Sequence, residues 1–132
     1  MAFNTFVEVA EDCPTGQAEV PSTRPGRVTK AAIEYGLIAQ EPYVLTEEEL
    51  AFRTRMAMRG VSESDWPAER KRSIFTNKPR LRVSALAKRY GWGIHIDSRG
   101  RVALVPVESP EYRRLAADPG LNHVRAFRST RA

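Results

Sequence analysis

Between Lys78 and Arg101 the chain gathers side chains that bind anions: Arg80, Arg82, Lys88 and Arg89 lead into Tyr90-Gly91-Trp92-Gly93-Ile94-His95, and Arg99 and Arg101 follow. Guanidinium and ammonium groups neutralise phosphates and aromatic rings stack on bases, so cations interleaved with Tyr90 and Trp92 are the components of a nucleic-acid or polyanion platform. The plainer reading makes Tyr90 and Trp92 core aromatics that seal a helix against a sheet, with Lys88 and Arg89 compensating the carbonyl end of that helix. Gly91 and Gly93 flank the indole, where the backbone can take positive φ or let another group come close.

His95 lies between Ile94 and Ile96, so in a strand it points to the opposite face from both. A general acid or base needs a group to orient its ring, and Glu8 or Glu108 on neighbouring strands would be the partners. A surface or hydrogen-bonded structural histidine is the simpler role, because one imidazole is not a constellation. One Cys and two His at distant positions lack zinc-type spacing, and no calcium-loop pattern surrounds Glu8, Glu11 and Asp12, so neither a metal nor another cofactor is expected. Cys13 follows two carboxylates, which disfavour a thiolate, and is not expected to act as a nucleophile. No Walker-type phosphate loop, dinucleotide fingerprint or nucleophile elbow is present.

The charge that would hold a polyanion is unevenly spread. Residues 1–69 carry 6 Lys and Arg against 12 Asp and Glu, whereas residues 70–132 carry 15 against 4. A positive half attracts nucleic acid, anionic lipid, phosphorylated ligands or an acidic partner, and it can also pair with the chain's own acidic half. With 132 residues, 42% of them apolar, the chain can build one core. Its apolar runs, such as Val102-Ala103-Leu104-Val105, fall far short of the roughly 20 residues that span a bilayer. Met1-Ala2-Phe3-Asn4 begins no cationic or apolar leader, and a lone cysteine forms no internal disulfide, so a cytoplasmic location is the default expectation.

The elements that would position these residues follow from periodicity and punctuation. Asn4 to Val9 alternates like a first strand, and five Pro and Gly residues between Pro14 and Gly26 mark a loop over about residues 13–28. Helices are expected from Thr29 to before Pro42, from the capping sequence Thr46-Glu47-Glu48-Glu49 to Arg59, from Ser64-Asp65-Trp66-Pro67 to about Phe75, over Ser84 to Tyr90, and from Ser109-Pro110 to Ala117. Trp92–Asp97 and Arg101–Val107 bracket Asp97-Ser98-Arg99-Gly100, a type I turn with a bulge. The expected fold is therefore α+β, a small antiparallel sheet of about three strands with four to five helices over it. It forms one domain over 1–120, followed by a basic tail, 121–132, whose last residues are disordered.

Three ordered segments, Thr5-Phe6-Val7-Glu8-Val9-Ala10-Glu11-Asp12-Cys13-Pro14, Lys88-Arg89-Tyr90-Gly91-Trp92-Gly93-Ile94-His95 and Val107-Glu108-Ser109-Pro110-Glu111-Tyr112, resemble the signature segments of a family of small bacterial proteins that carries the label domain of unknown function. The resemblance covers about residues 4–115 and implies a small cytoplasmic bacterial protein. It implies no reaction and transfers no site residue. Three readings follow from the residues. The first is a non-enzymatic module binding nucleic acid or another polyanion through Arg80, Arg82, Lys88, Arg89, Tyr90, Trp92, Arg99 and Arg101. The second is a small enzyme or ligand-binding protein with a cleft at His95. The third is a protein-interaction or regulatory module, pairing its acidic and basic halves with a partner or with a second copy. The residues favour a binding module over an enzyme, and none of the readings involves a membrane.

Overall fold

A computed structural model describes residues 3–22, 29–73 and 81–129. Along the chain these form β1 (Thr5–Glu8), α1 (Lys30–Gln40), α2 (Glu47–Arg59), α3 (Trp66–Ser73), α4 (Ala85–Lys88), β2 (Trp92–Ile96), β3 (Val102–Pro106), α5 (Pro110–Ala116) and β4 (Asn122–Arg125), with single 3-10 turns at Glu63–Asp65 and Leu81–Val83.

The helix starts are set locally. The hydroxyls of Thr29, Thr46, Ser84 and Ser109 each accept a backbone N–H from the first turn that follows. Such caps satisfy donors that the helix leaves without a carbonyl. Glu49 stands where a capping box would turn its carboxylate back on the cap. It instead accepts from Arg53 and, through both oxygens, from Arg70 on α3. Arg70 also lies 4.2 Å over the Phe52 ring, and Trp66 meets Phe52 edge-on, so α3 is held to α2 by two aromatics and a guanidinium. The helix expected to reach Phe75 is described to Ser73, and Phe75 lies outside the described residues.

The α+β class stands, with five helices among the described residues, but the expected three-stranded antiparallel sheet is corrected. The sheet has four strands in the order β3-β2-β1-β4, and β4 runs parallel to β1. The cause is α5, which carries the chain from the end of β3 back across the sheet and past two strands. The next strand therefore enters in the direction of β3 and β1, as a crossover connection requires. The new strand comes from the segment read as a tail. Asn122-His123-Val124-Arg125 offers one apolar side chain, too weak a pattern to mark a strand.

Both faces of the sheet are covered. Val7, Ile94, Ile96 and Val102 face α1, α2 and α4, where Ala31, Ile38, Leu50, Leu86 and Ala87 complete the larger core. On the other face Phe6, Ala103 and Val105 are buried and Tyr112 of α5 packs edge-on against Phe6 at 4.9 Å. The Asp97–Gly100 turn forms as its sequence requires: Gly100 takes φ +79°, and Asp97 accepts the N–H groups of Arg99 and Arg101. No described helix is long and apolar enough to cross a membrane.

Candidate functional site

Strand alternation decides where His95 faces. Ile94 and Ile96 are buried in the larger core, so His95 lies half-buried on the α5 side, opposite Phe6 of β1. Its orienting partner is a residue the sequence reading did not consider: Tyr43 Oη lies 2.8 Å from His95 Nδ1. Tyr43 is held there in the left-handed region at φ +59°, with its N–H donated to Val102 O. Burial lowers the His95 pKa against the pull of Asp97, Glu111 and Asp118, and burial with Glu111 and Asp97 raises that of Tyr43. Both shifts favour a neutral pair. The carboxylates proposed for His95 are engaged elsewhere: Glu8 faces Arg125 at 3.9 Å, and Glu108 accepts from Ala18 N at 2.8 Å. Among the described residues no group of three His, Cys, Asp or Glu is arranged to hold a metal ion.

The aromatics of the basic run are tied into the fold. Trp92 packs against Tyr35 and donates its indole N–H to Glu19 O at 2.8 Å, and Tyr90 packs on the larger core. Gly91 has φ +78°, and a Cβ there would stand 2.9 Å from Gln17 O, so its lack of a side chain admits both the turn and the crossing loop. The loop over 13–22 is thus strapped across the start of β2, with Glu19 N donating to Tyr90 O.

The cations divide. Arg99 and Arg101 stand at the β2–β3 turn, beyond the C-terminal end of β2, while Lys88 and Arg89 precede its N-terminal end. Arg80 lies outside the described residues. Arg82 and Arg89 are drawn instead to the chain's C-terminal segment. Arg82 Nε donates to Arg125 O at 2.7 Å, Phe127 N donates to Arg82 O at 2.9 Å, and Arg89 Nη2 reaches Ser129 O at 3.5 Å. The Arg82 guanidinium lies 4.4 Å over the Phe127 ring, which is 45% exposed. Arg82, Arg89, Arg125 and Arg128 are all exposed, and among the described residues Arg82, Arg89 and Arg128 make no ion pair.

The segment is anchored at both ends of this stretch. Ala126 N donates to Glu8 O at 2.9 Å, and Ser129 N donates to Asp12 Oδ1 at 2.7 Å. Arg125 and Phe127 therefore join Arg82 on an exposed seam that Arg89 reaches at Ser129, with Arg128 exposed next to Phe127 in the chain. The sequence placed Arg125, Phe127 and Arg128 in a basic tail and not beside Arg82, because the parallel β1–β4 pairing that brings them there links residues more than a hundred positions apart. The available signal was Val124 followed by Ala126 after Pro119-Gly120, a short alternating stretch behind a turn.

No curated protein and no solved structure matches the chain. A family model described as "Family of unknown function (DUF6157)" matches residues 1–132, as a resemblance to a family of unknown function implied. The chain belongs to that family.

Proposed function

We propose that the chain is a binding module whose C-terminal seam holds a polyanion, nucleic acid foremost. The observation that carries this reading is the Arg82 guanidinium lying over an exposed Phe127, with Arg125 and Arg128 exposed on either side of that ring in the chain and an exposed Arg89 reaching the same segment at Ser129 O. Among the described residues Arg82, Arg89 and Arg128 have no carboxylate partner and Arg125 only a loose one in Glu8 at 3.9 Å, which leaves donors for phosphate or sulfate oxygens, and a planar guanidinium already held in place loses less freedom on binding than a mobile lysine. Arg99 and Arg101, at the far end of β2, would extend the positive field without belonging to the seam. Nothing in the site asks for catalysis: the anion is bound by charge and geometry.

The test is binding of a fluorescently labelled oligonucleotide at about 50 and 200 mM salt. Arg89→Glu/Arg128→Glu serves as the comparison, since both side chains are exposed and away from the core. Binding that weakens steeply with salt and falls at least tenfold in the variant, with melting unchanged, supports the reading. Absence of binding at low salt, or binding indifferent to salt, removes it.

A further inference from the structure

Resting on the polyanion reading, we infer that the seam takes single-stranded nucleic acid, with an unpaired base adding to the Arg82–Phe127 stack. Phosphate binding alone gives no reason for an aromatic ring at this position. Phe127 is 45% exposed, yet its place is set by main-chain bonds on both sides. Ala126 N–H is bonded to Glu8 O, and Phe127 N–H to Arg82 O. The Arg82 side chain is likewise fixed by its Nε bond to Arg125 O, which holds the guanidinium 4.4 Å from the ring centroid. An aromatic and a guanidinium so restrained form a preorganised surface, and little ordering remains to be done when a planar ligand arrives.

Among polyanions, only one with unpaired planar groups uses both parts of this surface. In a duplex the base faces are covered by their neighbours, and polyphosphate or an acidic peptide presents charge without planes. Arg125 and Arg128 flank Phe127 along its own extended segment, and Arg89, at the end of α4, reaches that segment at Ser129; together they supply backbone contacts around the stacked base, the combination by which single strands are held without sequence preference.

The experiment titrates the full chain with a labelled oligothymidylate of about 12 nucleotides, with a duplex of the same length, and with polyphosphate as competitor. Wild type is compared with Phe127→Leu, Phe127→Tyr and Arg89→Glu/Arg128→Glu. Expected are tighter binding of the single strand than of the duplex, a loss of about fivefold or more for the single strand alone in Phe127→Leu, and retention in Phe127→Tyr. Leucine keeps the apolar bulk and removes only the ring, so a merely structural Phe127 would weaken single strand and duplex together, or neither. Either of those outcomes overturns the inference while charge-dependent binding, lost in the arginine variant, leaves the polyanion reading standing. If no polyanion binds, both fail.

Discussion

At Gly93 the second face of the sheet closes around the absence of a side chain. A Cβ there would stand 2.7 Å from Tyr112 Cε2 and 2.9 Å from Phe6 Cζ, inside contact distance of two rings that pack on each other. Tyr112 cannot simply swing away, because its hydroxyl accepts the Val9 N–H at 3.0 Å. Gly93→Ala is expected to destabilise the protein by about 2 kcal/mol, the usual cost of overpacking, read as a lower denaturation midpoint. An unchanged midpoint would show that the α5 face is loosely packed. His95 illustrates how far a single residue could be read in advance. Its facing followed from Ile94 and Ile96, whose apolar character fixes the strand's inward side. Its partner did not, since Tyr43 reaches it from a segment with no sequence relation to β2 and with a backbone conformation that an aromatic residue rarely adopts.

Among the elements, α3 and β4 depend most on particular contacts. The helix α3 contributes little apolar surface of its own and is fastened by Arg70, which binds Glu49 through two bonds of 2.6 and 2.8 Å. The Arg70 hydrogen bonds, outweighing burial and assisted by Arg53, hold the Glu49 pKa down at about 2. A carboxyl whose pKa is lower in the folded than in the unfolded chain stabilises above the unfolded value of 4.5, and this contribution disappears as pH falls towards 2. Arg70→Ala is therefore expected to cost about 1–2 kcal/mol at pH 7, reduced from the value of a buried pair by solvent screening. The difference from wild type should narrow below pH 4, and a gap independent of pH would assign Arg70's role to its stacking on Phe52.

At the two ends of the β4–β1 pairing, Asn122 N donates to Asn4 O and Ala126 N, just past β4, to Glu8 O. Ala126→Pro removes one of these bonds at a buried site and is expected to cost about 2 kcal/mol or more, measured by chemical denaturation. A neutral result would mean that β4 pairs too weakly to hold the seam. Helix starts and the β2–β3 turn were legible because caps and turns are decided within four residues. The strand β4 was not, because its stability comes from its neighbour.

For the whole molecule, the division of charge between the halves of the sequence does not carry over as two opposed faces. Glu49 and Glu69 hold Arg70, Arg53 and Arg59 within the helical part, while Arg82 and Arg89 reach the 125–129 segment, on which Arg125 and Arg128 are exposed. If these four arginines each displace about one counterion, the logarithm of the single-strand binding constant should fall with the logarithm of salt with a slope near −3. Reversing Arg89 and Arg128 should reduce that slope by half or more. A slope that stays near −3 in the variant would locate the polyanion elsewhere, with the hairpin turn carrying Arg99 and Arg101 the next surface to examine.

The sequence by itself determined the helix starts, the Asp97–Gly100 turn, the inward side of β2 and the α+β class, because each depends on neighbours a few residues apart or on a simple period. It also placed Arg82 and Arg89 among the cations of interest. Only the tertiary structure decided that these two reach the segment carrying Arg125, Phe127 and Arg128, that Tyr43 faces His95, and that Trp92 is committed to Tyr35 and Glu19. Those contacts join segments separated by long stretches of chain, and they depend on a shared sheet in which Val7 and Phe6 are buried and Val124 partly so. That burial depends on which strands lie side by side, a choice made by the fold as a whole.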